Sequence, residues 1–346
     1  MYSTHASHAC RFRALVVWLG LCAVLLFACG PVRATAPTAT LPLPTLPPSS
    51  PPAPTAGAGL AATATGLPPA GTYLFDDFTY TSQDAMQANG WIIRDKAGWP
   101  GVPGAIWSQD TVALVDDPAL PGNRLVQMTS SSDGQTTYQN QICHQRKYYE
   151  GTYATRVHFS DAPASGAGGD QIVETFYMIS PLEKPMDPDY SEMDYEYLPN
   201  GGWGAPGATF FMTTWETAQL DPWVADNASD DIAGSQDGWH TLVLQVTGGE
   251  VRYYLDGRLA ATHGGKFYPE VPMSINYNLW FIDGGLLKQG ERREYREWID
   301  WVYFVAGQAL SPDEVTAKVA ELRHGATSFH DTVPPWTPAL PSPCNF

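Results

Sequence analysis

Between residues 72 and 305, apolar and polar residues alternate in short runs separated by turn residues. That is the period of strands and not of helices. Segments 124–128, 151–159, 171–179, 239–246, 250–255 and 298–304 are rich in β-branched and aromatic residues and are predicted as strands, with 209–215 as another. Gly248-Gly249 is a two-residue hairpin signal, and Asp256-Gly257 marks a second turn. One helix stands out near the end: Ser311 offers an N-cap, Pro312 fills the first helical position and Glu314 completes a capping box. Val315, Val319 and Leu322 share a face, and Gly325 closes the helix. Regular strand spacing without interleaved helices predicts an all-β sandwich or barrel, with this short C-terminal helix as a brace. No internal repeat and no second domain of useful size is visible.

The clearest alternation carries acid. In residues 190–198, Glu192, Asp194 and Glu196 point one way, while Met193, Tyr195 and Tyr197 point the other. The apolar set is expected in the core, so the acidic set lines a solvent-accessible face or cleft. Carboxylates at alternate positions lie only about 7 Å apart at Cα and repel one another, with no basic residue between them. Three readings are open at this point: a solvated acidic face, a calcium site, or paired-carboxyl chemistry. The third makes use of the side-chain lengths, because two long Glu side chains can lean together above a shorter Asp. A retaining glycosidase needs two carboxyls about 5–5.5 Å apart, one as nucleophile and one as acid/base. The acid must hold its proton at working pH, which adjacent negative charge favours.

Composition changes the picture at the ends. Arg11 and Arg13 precede an apolar run over 14–28 and then Cys29, the layout of a secretory signal over 1–29. The run falls short of the roughly 20 residues of a transmembrane helix. Leu26-Phe27-Ala28-Cys29 resembles a bacterial lipobox with Cys29 as the lipidated residue, although Phe27 departs from the usual small or β-branched residue. Simple cleavage near Ala28 or Ala34 is the alternative. Residues 30–71 form a Pro/Thr/Ala-rich spacer: eleven of the 30 prolines lie between 31 and 70, and 34–75 holds no charge. The expected location is therefore outside the cytoplasm, either as a cell-surface lipoprotein held to a membrane through Cys29 or as a secreted protein.

From residue 76 onward, 36 acidic residues face 16 Lys and Arg, a formal charge of −20. This balance argues against nucleic acid as a partner and, less strongly, against a polyanionic glycan. A neutral polymer is the easier partner, and a monomer is expected. Cys143 and Cys344 remain as an even pair in an oxidising compartment and are expected to bridge, clipping the tail to the domain. No cysteine or histidine spacing suggests zinc.

The motifs resemble those of glycoside hydrolase family 16, in the family's order over roughly 230 residues. Glu192-Met-Asp194-Tyr-Glu196 matches the family's Glu-x-Asp-x-Glu strand. Gly151-Thr-Tyr-Ala-Thr-Arg156-Val precedes it. Trp239-His240-Thr241, Tyr253-Tyr254-Leu255-Asp256-Gly257, Pro272-Met273, Asn278-Leu279-Trp280 and Ile299-Asp300-Trp301-Val302 follow. The resemblance implies a concanavalin A-like β-jelly-roll sandwich of two antiparallel sheets over 72–310, with helix and tail over 311–346. It implies Glu192 as nucleophile, Asp194 as assisting carboxylate and Glu196 as general acid/base of a retaining endo-β-glycosidase, with no cofactor required. Tyr190, Asn278 and Trp280 would contact sugar. Trp203, in a glycine-rich loop, and Trp215, at a strand end, are further substrate-binding candidates. A structural calcium, as in some relatives, is left without assigned ligands.

The single residue between Asp194 and Glu196 is similar to the regular strand of lichenases and plant-type xyloglucan-active members. This favours a mixed-linkage 1,3-1,4 or 1,4-linked β-glucan. The Pro- and acid-rich stretch 180–191 and Ala154-Thr155, where Glu-Ala is usual, depart from the family pattern. Two alternatives accompany the hydrolase reading: a transglycosylase on the same site, and a non-catalytic carbohydrate-binding jelly roll. A Ser-His-Asp hydrolase is disfavoured, because no Gly-x-Ser-x-Gly elbow is present.

Overall fold

The computed structural model describes residues 67–342 and Cys344. The predicted signal segment, Cys29 and most of the spacer lie outside the described residues.

Two antiparallel sheets face each other, as the alternating pattern requires. One sheet runs in the spatial order Trp91–Ile93, Thr137–His144, Ser274–Phe281, Ile172–Ile179, Glu192–Leu198, Thr209–Leu220 and Trp223–Ala233. The other runs Val112–Asp116, Arg124–Ser132, Arg293–Ala306, Gly151–Phe159, Gly238–Thr247, Glu250–Leu255 and Arg258–Gly264. Tyr73–Asp76 continues alongside the second half of Arg293–Ala306 and pairs with Phe329–Asp331. The architecture is an all-β jelly-roll sandwich.

Strand propensity and turn chemistry account for the local structure. Gly248 and Gly249 both take positive φ (64° and 80°), the geometry of a tight two-residue hairpin whose twist matches the strands it joins. Asp256-Gly257 repeats it between Leu255 and Arg258, and Asp256 accepts from His240 Nδ1 (2.7 Å) and Thr241 N (2.9 Å). A six-residue helix not anticipated from the sequence, α1 (Gln83–Ala88), is capped by Ser82. The predicted C-terminal helix, α2 (Pro312–His324), has both halves of the Ser311/Glu314 capping box. Gly325 is its C-cap, but the left-handed residue that turns the chain away is Ala326, at φ 54°.

The core lies between the sheets. Met193, Tyr195 and Tyr197 are fully buried with Phe176, Met178, Phe210 and Met212 from neighbouring strands. They meet Val157, Phe159, Leu242, Leu244 and Phe304 of the facing sheet. Buried phenols find partners across the sandwich: Tyr195 donates to Val243 O (2.7 Å), Tyr253 to Thr213 O (2.7 Å), and Tyr277 pairs with Thr155 Oγ1 (2.7 Å). On the outer side of the second sheet, Val315, Val319 and Leu322 of α2 cover Ala154, Val243, Trp301 and Val305.

Arg156, Trp239 and Asp300, from three of the other family-like motifs, prove to be scaffold. Arg156 pairs with Asp300 (2.8 Å) and lies over the Trp239 ring at 4.1 Å, while Arg323 of α2 binds Asp300 from the other side (2.7 Å). Cys143, within Thr137–His144, is disulfide-bonded to Cys344, with Cα atoms 5.8 Å apart.

Three acids outside the cleft are buried, which raises the pH at which each gives up its proton. Burial pushes Asp76 up to about 7 against donors from Tyr80, Trp91 and Phe78, and holds Glu174 and Glu297 well above the usual carboxylate range. Each binds its proton more tightly folded than unfolded. Their stabilising contribution is therefore complete below the unfolded carboxylate pKa of about 4 and is lost as pH rises through the folded values. The melting temperature is expected to fall as pH is raised from about 5 to about 8 in scanning calorimetry; a rise would contradict these protonation states. Replacing Cys344 with Ser opens a crosslink spanning 201 residues and is expected to cost about 2–5 kcal/mol in denaturant titrations.

Candidate active site

The acidic strand is central in its sheet, and its register fixes which side chains share the open face. Glu192 lies between Ile179 and Trp215, Asp194 between Tyr177 and Thr213, and Glu196 between Thr175 and Phe211. With Met193, Tyr195 and Tyr197 committed to the core, all three carboxyls are directed into one cleft of about 490 Å³. Trp203, Trp215 and Trp280 line the same cleft. Asn278 lies in a smaller recess of about 50 Å³ that also touches all three acids.

Each carboxyl has a different environment. Glu192 accepts from the Tyr190 hydroxyl and from Asp194; burial pushes it up to about 7, and these two donors hold it down. Asp194 accepts from Trp215 Nε1 at 2.7 Å. Burial first, then the charges of Glu192 and Glu196, hold Asp194 well above the usual carboxylate range, so it carries the proton it shares with Glu192. Among the described residues, none donates a side-chain hydrogen bond to Glu196; burial and the charge of Glu192 push it up to about 8. Glu192 and Glu196 keep part of their surface open to the cleft.

The other predicted contacts divide. Tyr190 lies just before the strand, largely buried, with its hydroxyl committed to Glu192 and its side chain lining a chamber beside the cleft, so it acts at least as a positioning group for Glu192. Trp215 is likewise engaged through its N–H, edge-on to Trp223 with ring centroids 6.0 Å apart. Trp280 is buried against Trp107, Val173 and Leu198, with one side reaching the cleft. Trp203 stands half-exposed over it, 6.0 Å from Trp280 and 5.7 Å from Phe211. The glycines before Trp203 allow this: a Cβ on Gly201 would lie 2.4 Å from Ala205 O, and one on Gly202 2.4 Å from Ile282 Cδ1. Asn278 is buried with Oδ1 unpartnered, a polar group placed for a ligand.

Three residues that sequence reasoning missed belong to the site. Tyr177 accepts from Gln141 Nε2 (2.8 Å), and Gln141 Oε1 accepts from Arg94 Nη1 (2.9 Å), so the phenol proton remains to donate into the recess beside the acids. Trp99, in a loop, and Trp223, the first residue of Trp223–Ala233, line the cleft from separate segments. Their signal was present, since both lie in Pro-marked turns (Trp99-Pro100 and Pro222-Trp223) where a large aromatic has little core to enter. Among the described residues no group of three or more His, Cys, Asp or Glu is arranged to hold a metal, so no calcium ligands can be named.

No family model matches the chain. Crh-like protein 4 of Aspergillus fumigatus is 28% identical over 96 residues, 27% of this chain; the chain spans only 20% of that relative's length. Among solved structures, a Bacillus licheniformis β-glucanase superposes with a TM-score of 0.50 at 15% identity, over 68% of this chain and 98% of that one. A glycoside hydrolase family 16 endo-glucanase from Bacteroides ovatus, solved in complex with G4G3G-2F-DNP, gives 0.50 at 14% identity, over 67% and 99%. The similarity to family 16 noted from the motifs therefore holds at the level of fold: this chain carries the β-jelly-roll of the family 16 glucanases.

Proposed function

We propose that the protein is a retaining endo-β-glycosidase acting on a neutral β-glucan, of mixed 1,3-1,4 linkage or similar. The observation that carries this reading is the unequal treatment of three like carboxyls in one cleft. Glu192 is held by two donors and ionises first; Glu196 is unbonded and keeps its proton longer.

Glu192 attacks the anomeric carbon as Glu196 protonates the departing glycosidic oxygen. A covalent glycosyl-enzyme forms, and Glu196, now ionised, takes a proton from the water that resolves it. Asp194 donates its hydrogen bond to Glu192 in the free enzyme. As Glu192 forms the ester, the negative charge it loses appears on Glu196, which has given its proton to the departing oxygen, while Asp194 keeps its own proton and stays held by Trp215 Nε1. The three acids share a cleft whose lining also includes the aromatic side chains of Trp203, Trp280, Trp99 and Trp223, the kind of surface on which sugar rings stack. The acidic balance of the chain, with 36 Asp and Glu against 19 Lys and Arg, supports a neutral polymer over a sulfated one. By the same reading the protein is exported, and Cys29 tethers it to a membrane.

Glu192→Gln is expected to abolish turnover of barley β-glucan while leaving polymer binding in affinity electrophoresis. Unchanged turnover would sink the assignment, and binding without turnover by the unaltered protein would favour a carbohydrate-binding module. Glu196→Gln is expected to lower kcat on β-glucan by about 10²–10⁴-fold in reducing-sugar assays. Glu192 must be ionised and Glu196 protonated, so kcat/KM should be bell-shaped. It should rise through about 7 as Glu192 loses its proton and fall through about 8 as Glu196 does.

A further inference from the structure

A second chamber, of about 260 Å³, opens off the cleft at the Glu192 end and has a different lining. On the glycosidase reading, a glycan lies across the strands over the rows of Asp194 and Glu196. There Thr213 and Ser229 on one side, and Tyr177, Thr175, Asn278 and Gln141 on the other, present hydroxyl and amide groups. The chamber instead extends past the Glu192 row, beyond Ile179 and Trp215. It is walled by Ile179, Leu182, Ala218, Leu220, Trp99 and Trp223.

Its polar side-chain atoms are largely committed. The Tyr190 hydroxyl donates to Glu192 and the Trp215 N–H to Asp194, which leaves the indole N–H groups of Trp99 and Trp223 at the rim. Apart from the Glu192 carboxyl and the indole N–H groups of Trp99 and Trp223, it offers the hydroxyls of a pyranose ring few partners, which is unfavourable. An apolar group would lose nothing. The chamber is also a built feature. Leu182 comes from the Pro-rich stretch 180–191, which is anchored by Met186 N donating to Ala218 O at 2.9 Å. Leu220 and Trp223, on the turn of the Thr209–Leu220/Trp223–Ala233 hairpin, remain 49% and 56% exposed, and Trp99 is 54% exposed. Four large apolar side chains from three segments thus converge on an unfilled space that shares Glu192, Trp99, Trp215 and Trp223 with the cleft.

Resting on the glycosidase reading, we propose that this chamber receives an apolar substituent, a short acyl ester, carried by the sugar bound over the carboxylates. The protein then selects acylated β-glucan over the bare polymer. The chamber reaches Glu192 but not Asp194 or Glu196, so such a group enters from the side of the sugar ring and leaves the proton path to the glycosidic oxygen clear.

The test uses the full-length protein with Glu196→Gln, incubated with lichenan oligosaccharides butyrylated at about one ester per chain and mixed with unmodified ones. Bound and free pools are compared by mass spectrometry. Each methylene buried favours binding about fourfold at most, so butyrylated species should be enriched about tenfold or more. Adding Leu220→Asn should remove the enrichment while unmodified oligosaccharides still bind. Equal retention of both pools, or enrichment that survives Leu220→Asn, overturns the chamber assignment and leaves the glycosidase reading standing. If neither pool binds, the glycan reading falls and this proposal with it.

Discussion

The proton held between Asp194 and Glu192 is the interaction on which the rest of the site depends. Three carboxyls at alternate positions of one strand cannot all ionise inside a largely buried cleft, because each added charge raises the cost of the next. Keeping Asp194 protonated turns a repulsive neighbour into a hydrogen-bond donor for Glu192. The Tyr190 hydroxyl then adds a second donor to Glu192, and the Trp215 N–H moderates Asp194 from the opposite side. Glu196 is left without a donor, and this asymmetry separates the acid from the nucleophile. Identical side-chain chemistry is divided into two roles by the neighbours alone.

The scaffold serves that arrangement by holding the strand from every direction. Ladders on both edges fix its register, and the phenol of Tyr195 reaches through the core to the opposite sheet. Further out, Arg156, Asp300, Arg323 and Trp239 brace the facing sheet and α2. The buried carboxyls of Asp76, Glu174 and Glu297 pull in a different direction, since they favour the fold at a lower pH than the one that readies the cleft. Stability and the ionisation state of the cleft thus have different optima in one chain.

Much of this was legible in the sequence where a local rule and the tertiary environment agreed. The acidic strand announced its faces because Met193, Tyr195 and Tyr197 are apolar and their alternates are not. The hairpin glycines and the Ser311/Glu314 box fixed their turn and cap through backbone chemistry that needs no partner. Tyr177 was illegible for the opposite reason: both faces of Ile172–Ile179 carry large apolar residues, so alternation could not show which one met the cleft. Trp99 comes from a loop and Trp223 from the turn end of a hairpin strand, and no periodicity encodes their spatial meeting. Tyr190 was assigned by resemblance to contact sugar; its hydroxyl is also bonded to Glu192, a second role that the resemblance did not include. Gly325 looked like the left-handed helix stop, yet the chain turns at Ala326, because the sequence signal locates the end of a helix better than the residue that strains.

The regular period of the acidic strand also sets where this protein can change length. A one-residue insertion or deletion within Glu192–Leu198 would turn every later side chain over, sending Glu196 towards Phe176 and Phe210 and bringing a core tyrosine into the cleft. The flanking segments 180–191 and 199–208 carry no such phase and can absorb added or lost residues while the strand stays in step. In a library of random insertions and deletions, tolerated variants should therefore cluster on the two sides of the strand and be absent within it. Diversification of what the cleft accepts would proceed by remodelling its walls, with the chemistry at its floor left untouched.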